Sequence, residues 1–161
     1  MRRADFERLY EEHAQPLFGF LAYRTGDRTL AEDLMADTFE RALRARNRFD
    51  RRKASEKTWL YTIALNLLRD HARRAGSEQR ALERLPGAGD AGQPDELAGV
   101  EHRDEVQRAM AILSDEEREA IALRFGGDLT VPEIAKLLKE PLPRVEGRVY
   151  RSLKKLRDRL D

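Results

Sequence analysis

The chain has 161 residues, of which 38% are charged and 7% aromatic, a length and composition that favour one or two small helical domains. With no cysteine and three scattered histidines, the sequence excludes a disulfide framework and offers no metal cluster, which fits a reducing, cytoplasmic setting. The 31 basic and 30 acidic residues nearly cancel, and neither a signal-peptide core nor an apolar window of membrane-spanning length is present.

Three helical segments are predicted near the N-terminus. Residues 5–10 form a short amphipathic stretch, and a second helix begins at Pro16 and ends at Gly26. A third helix begins with the capping box Thr29 to Glu32. One side of this helix, predicted to face the core, carries Met35, Thr38, Phe39 and Ala42.

Acidic side chains occupy the opposite side of this third helix, at Asp33, Asp37 and Glu40. Asp33 and Asp37 have the spacing of aspartate pairs that hold magnesium on a substrate diphosphate. No second acidic motif accompanies them, and the chain is short for such an enzyme. We therefore interpret this side as a solvent or partner contact, and we predict no catalytic residue, no cofactor and no small-molecule substrate.

A fourth helix is predicted from an N-cap at Ser55 to Ala75, with core positions at Trp59, Leu60, Ile63, Ala64, Leu67 and Leu68. Its other side carries a polar stripe, which consists of Thr62, Asn66, Arg69 and Arg73. The amide can bond to a base edge and the guanidiniums to phosphates, so the stripe is a nucleic-acid candidate. Phe49 and Trp59 either meet unstacked bases or, as a lone Trp among leucines usually does, pack in the core.

Residues 76–100 interrupt the helical pattern. Residues 86–94 (PGAGDAGQP) have neither periodicity nor bulk, which indicates a flexible linker. A helix at residues 78–85 is too short to be stable alone. The predicted organisation is an all-α fold with a helical domain at residues 1–75, a linker at 76–100 and a second helical domain at 101–161.

Two helix signatures separated by a turn predict a helix-turn-helix in the last third of the chain. The capping box Thr130 to Glu133, with Pro132 in the first turn, begins one helix. Residues 139–141 (KEP) end it, because the residue before proline disfavours the α conformation. The second helix then runs to about Leu160.

This second helix is strongly basic. Between Arg144 and Arg159 it carries seven basic and two acidic residues, although the charges of the whole chain nearly cancel. An apolar stripe consists of Val145, Val149, Leu156 and Leu160, and another side carries Arg144, Arg148, Arg151 and Lys155. A solvated helix that closes a bundle has the same pattern. The segregation of charge favours phosphate neutralisation, and we predict DNA binding.

Taken together, these motifs resemble a known family. Residues 31–39 (AEDLMADTF), 48–50 (RFD) and 58–66 (TWLYTIALN) resemble the second conserved region of bacterial RNA polymerase sigma factors. Residues 113–125 (LSDEEREAIALRF), followed by the helix-turn-helix, resemble the fourth region. Two such domains with no third region between them are similar to the extracytoplasmic-function (ECF) group of the sigma-70 family.

The resemblance implies a cytoplasmic bacterial protein that binds core RNA polymerase, directs it to promoter DNA, helps open the duplex and is commonly restrained by an anti-sigma factor. It implies core-polymerase contacts at Asp33, Leu34, Asp37 and Glu40. It implies contacts to the −10 element at Phe49, Trp59, Thr62, Asn66, Arg69 and Arg73, with residues 49–57 as the loop that captures a flipped base. It implies contacts to the −35 element at Arg144, Glu146, Gly147, Arg148, Tyr150, Arg151, Lys154 and Lys155, of which Arg144 and Arg148 are expected mainly on phosphates.

Several positions depart from the family pattern. Ala36 replaces a usual Gln, Leu153 replaces a usual arginine, and Lys139 stands where the turn often has glycine. Glu146 stands where the second helix usually carries Lys or Arg, and a glutamate can accept from a cytosine amino group. We therefore expect a shifted −35 preference. The alternative function is a stand-alone helix-turn-helix regulator whose N-terminal domain dimerises or senses a ligand.

Overall fold

A computed structural model describes residues 1–83 and 100–160, with side chains for residues 1–76 and 105–160. The described residues form seven α-helices: α1 (Arg3–Thr25), α2 (Arg28–Ala45), α3 (Glu56–Glu83), α4 (Val100–Ala111), α5 (Asp115–Ile121), α6 (Val131–Leu138) and α7 (Leu142–Leu160). A 3-10 turn, Arg46–Arg48, follows α2, and a π turn, Ala122–Gly126, follows α5. No strand occurs among these residues, so the all-α prediction is confirmed, whereas most of the predicted linker lies outside them.

The two segments predicted before Gly26 form one helix, because α1 continues through Pro16. A proline inside a helix costs about 3 kcal/mol. Burial of one apolar face of α1 outweighs this cost, and its buried residues are Leu9, Leu17, Phe20 and Leu21. The predicted end is confirmed: Gly26 has a φ of 70°, and its N–H donates to Ala22 O at 2.9 Å.

Two other predicted boundaries need correction. The N-cap of α2 is Asp27 rather than Thr29, since Asp27 Oδ1 accepts from Leu30 N at 3.1 Å. Ser55 caps α3 as predicted, with Oγ accepting from Thr58 N at 3.1 Å. However, α3 continues past Ala75 to Glu83, since a glycine at position 76 costs only about 1 kcal/mol and extending a helix needs no new nucleus.

The helices form two units, an N-terminal unit of α1 to α3 and a C-terminal unit of α4 to α7. Helix α2 packs on α1 and α3, and α7 packs on α4, α5 and α6. The two units are in contact, because α1 packs on the π turn and α3 packs on α6. One continuous hydrophobic core includes buried residues of both units.

The predicted helix-turn-helix is confirmed. Thr130 Oγ1 accepts from Glu133 N at 3.2 Å, and Glu133 Oε1 accepts from Thr130 N at 2.9 Å, which begins α6. Lys139 follows the helix with a φ of 57°, and Glu140 N donates to Ala135 O at 3.0 Å. This Schellman turn ends α6 and directs the chain into α7.

Candidate nucleic-acid interface

Helix α7 presents a group of exposed polar side chains, which we call the recognition face: Arg144, Glu146, Tyr150, Arg151 and Lys154. Tyr150 is 70% exposed. Among the described residues, none forms a hydrogen bond or ion pair with these side chains. The recognition face is therefore open to an external ligand.

Arg148 does not belong to this face, which corrects the expectation that it lies beside Arg144 on phosphates. It is only 8% exposed, and its Nη1 and Nη2 donate to Glu140 Oε2 and Oε1 at 2.7 and 2.8 Å. Helical spacing explains the burial, since Val145 and Ser152, three residues before and four after, are fully buried. The hydrogen bonds from Arg148 hold the pKa of Glu140 below its usual value.

Lys155 and Gly147, also predicted at the −35 element, have contacts within the fold that the sequence did not predict. Lys155 Nζ lies 2.9 Å from Glu117 Oε1, and Glu117 also completes the capping box of α5 with Ser114. A Cβ at Gly147 would lie 2.8 Å from Arg151 Nη1, so glycine leaves room for that guanidinium. Lys155 is therefore paired within the fold, and the −35 contacts of both residues stay predictions.

The polar stripe lies on α3 as predicted, with Thr62, Asn66, Arg69 and Arg73 all exposed. Arg73 pairs with Asp70 on the same helix. Arg69 Nη2 lies 3.3 Å from Glu119 Oε2, which belongs to α5 in the other unit. No sequence signal identifies Glu119 as a partner, because fifty positions and a contact between units separate the two residues.

Phe49 and Trp59 contact each other, with ring centroids 5.0 Å apart and planes tilted by 51°. Trp59 also packs against the hydrophobic core, in agreement with the core interpretation of this residue. Both rings are partly exposed. The pair therefore braces the loop of residues 49–57 and leaves part of its aromatic surface accessible beside the stripe.

The acidic face of α2 consists of Asp33 and Asp37, both exposed and without an ion pair to any described residue, and Glu40, which pairs with Arg44. Leu34 was expected with them, but it is 5% exposed and packs in the core. Its position explains this, since it lies three residues from Ala31 and four from Thr38, both buried. Within the described residues, no group of three or more acidic, histidine or cysteine side chains could hold a metal ion.

Comparisons with known proteins match both units. The Sigma-70 region 2 family model matches residues 9–78, and the Sigma-70 region 4 model matches residues 109–158. The ECF RNA polymerase sigma factor SigX of Bacillus subtilis (strain 168) is 32% identical, and the alignment covers 97% of this chain and 84% of SigX. The ECF sigma factor RpoE of Cereibacter sphaeroides is 31% identical over 98% of this chain and 87% of its own.

Solved structures share the fold. The sigma factor RpoE in complex with the anti-sigma factor NepR, from Bartonella quintana, superposes with a TM-score of 0.77 at 24% identity, over 97% of this chain and 96% of that one. CnrH in complex with the cytosolic domain of CnrY superposes with a TM-score of 0.75 at 26% identity, over 99% and 90%. The chain belongs to the ECF RNA polymerase sigma factors of the sigma-70 family, which recruit RNA polymerase to specific promoters.

Proposed function

We propose that three surfaces of this sigma factor divide the work of initiation. The acidic face binds core RNA polymerase, the polar stripe with Phe49 and Trp59 reads and opens the −10 element, and the recognition face reads the −35 element. The N-terminal unit (α1 to α3) and the C-terminal unit (α4 to α7) are then the two functional domains. The protein acts by binding and positioning, with no chemistry of its own, in the bacterial cytoplasm where polymerase and DNA meet.

One observation carries the −35 assignment. Arg148 is neutralised by Glu140, whereas Arg144, Arg151 and Lys154 on the same helix are exposed and form no hydrogen bond or ion pair with a described residue. Cations that are free of internal partners can release counterions when they meet phosphates. The exposed side chains at the start of α7 are those that a helix-turn-helix brings to base edges.

The acidic face supports polymerase docking because the carboxylates of Asp33 and Asp37, like the cations of the recognition face, form no ion pair with a described residue that would compete with an external partner. Asp33 and Asp37 lie one helical turn apart and are exposed, so they offer two carboxylates to one basic surface. An anti-sigma factor is a further partner that we propose for this chain, since both similar structures described above are complexes of a sigma-like chain with a second protein.

Run-off transcription on a genomic fragment library, with core polymerase alone and with added protein, tests the function. Specific transcripts are expected only when the protein is present. Binding to a palindromic duplex without polymerase, and no new transcripts, would instead support a stand-alone regulator.

The docking site is tested by the double reversal Asp33→Lys with Asp37→Lys. Both side chains are exposed, so the fold should persist while co-purification with core polymerase is lost. The matched control is Glu7→Lys with Glu11→Lys, which reverses two exposed charges of equal spacing on α1. Normal polymerase binding by the first variant would remove the acidic face from the docking site.

A further inference from the structure

The two units meet at a contact of backbone against backbone. A Cβ placed on Gly19 of α1 would lie 2.5 Å from Gly126 O of the π turn, and a Cβ on Gly126 would lie 2.7 Å from Gly19 O. No other residue type fits at either position without moving the units apart. The two glycines therefore fit this one closed arrangement.

A buried hydrogen bond lies beside the glycine contact. The hydroxyl of Tyr61 on α3 donates to Gly127 O at 3.2 Å, and Tyr61 is fully buried. Leu123, within the π turn, and Leu129, just after it, are also buried in the shared core. Opening the units would expose these apolar side chains and the tyrosine, so the centre of the contact favours closure.

Three ion pairs between described residues of the two units lie around this centre, and their charges are arranged in the same way. Lys57 lies 3.3 Å from Glu133, Arg69 lies 3.3 Å from Glu119, and Arg24 lies 3.9 Å from Asp115. In each pair the cation comes from the N-terminal unit and the carboxylate from the C-terminal unit. The carboxylates thus occupy the cationic surface that phosphates would otherwise meet.

Two of these cations belong to the proposed −10 site. Arg69 is in the polar stripe, and Lys57, in the first turn of α3, is the last residue of the segment 49–57 that the resemblance assigns to base capture. Lys57 also donates to Asp128 O at 3.5 Å, so its ammonium is held at two points on the C-terminal unit. A guanidinium or ammonium held by a carboxylate must give up that partner before it can bind a phosphate.

From these contacts we infer that the chain is autoinhibited: its C-terminal unit closes on the N-terminal unit, and Glu119 and Glu133 compete with promoter DNA for Arg69 and Lys57. The inference rests on the proposed −10 role of the polar stripe. The closed form binds −10 DNA weakly, and polymerase, by holding the two units apart on a promoter, releases both cations. Added salt weakens the three ion pairs between the units, whereas the Gly19–Gly126 contact and the Tyr61 hydrogen bond persist at high salt.

The test uses the full chain, a short fluorescein-labelled single-stranded DNA of mixed sequence, and fluorescence anisotropy. Glu119→Gln removes the competitor of Arg69 and should raise DNA affinity about threefold, the scale of one exposed ion pair. Glu116→Gln is the matched control, because it removes the same charge from the same helix but faces Arg148 and not Arg69. The control should bind within twofold of the wild type.

A second variant opens the units without changing charge. Gly126→Val adds a side chain against Gly19 O, so small-angle X-ray scattering should give a larger radius of gyration and DNA affinity should rise by more than in Glu119→Gln. Tyr61→Phe removes the bond to Gly127 O and should shift both measurements in the same direction, which keeps the test decisive if the valine variant does not fold.

Arg69→Ala separates the two ideas. If it binds this DNA as well as the wild type, the proposed role of the stripe is wrong. If it weakens binding while Glu119→Gln and the opening variants bind like the wild type, the stripe binds DNA but the autoinhibition is refuted. Weakened binding by Arg69→Ala together with tighter binding by the opening variants supports both.

Discussion

Arg148 and Glu140 join α7 to the turn before it through two parallel hydrogen bonds, with Nη1 and Nη2 at 2.7 and 2.8 Å from the two carboxylate oxygens. Arg148 is 8% exposed, so losing Glu140 leaves a guanidinium largely out of water, with only the exposed Glu116 carboxylate 3.9 Å away. We expect Glu140→Ala to lower the free energy of unfolding by about 3 kcal/mol, measured by urea denaturation.

The control for this prediction is Arg144→Ala, four residues before Arg148 but exposed. It should change stability by less than about 0.5 kcal/mol and should instead weaken binding to duplex DNA at every sequence. An equal loss in the free energy of unfolding in both variants would show that the Arg148–Glu140 pair does not stabilise the fold more than an exposed arginine does.

Acid should destabilise the protein through two carboxylates of the C-terminal unit, Glu117 and Glu140. The pKa of Glu117 is lowered mainly by the N–H of Ser114, and that of Glu140 mainly by Arg148. A folded-state pKa below the unfolded one contributes stability that is complete above the unfolded value, about 4.3, and is lost as pH falls through the folded value. Urea midpoints measured from pH 7 down to pH 3 should therefore fall below about pH 4.5, and less steeply in Glu140→Gln.

Lys139 is predicted to be a site where glycine is more stable. Its φ of 57° and ψ of 44° are left-handed, a conformation that costs a residue with a Cβ about 1 kcal/mol. Lys139→Gly should raise the free energy of unfolding by about 0.5–1 kcal/mol. Asp128 has the same φ but tolerates it better through its short polar side chain, so Asp128→Gly should gain less in the same denaturation assay.

Glu146 should determine −35 preference. It is exposed on the first turns of α7 and does not pair with Arg148, whose guanidinium faces Glu140. Glu146→Arg should raise duplex affinity, steepen its salt dependence and shift one −35 position from cytosine toward guanine, because arginine matches the two guanine acceptors. Selection from randomised −35 sequences measures the shift, and an unchanged motif would mean that Glu146 faces only solvent.

Asn66 and Arg69 should contribute differently to promoter binding: Asn66 should read a base, and Arg69 should bind phosphates. Asn66 has no hydrogen bond from its side chain to a described residue, so Asn66→Ala should cost about 1–3 kcal/mol of discrimination at one −10 position. Arg69→Ala should weaken all promoters and flatten the salt dependence. Open-complex assays with holoenzyme on a set of −10 variants compare them, and a uniform loss for Asn66→Ala would exclude base reading.

The sequence alone was enough to predict many helix boundaries and which helix sides are exposed. The capping box Thr130 to Glu133 and the proline after Glu140 define the helix-turn-helix without tertiary contacts. The spacing of Asp33 and Asp37 placed them outside, because a helix turns 100° per residue whatever it packs against. The same periodicity placed the polar stripe on the exposed side of α3.

Tertiary structure decided which of these side chains are free. Arg148 and Arg144 have the same chemistry, but only packing against Val145 and Ser152 buries one of them beside Glu140. Arg69 acquires Glu119 from a helix fifty positions away. Helix caps and periodicity depend on neighbours within one or two turns, so sequence alone determines them, whereas burial and ion pairing depend on residues that only the folded chain brings together.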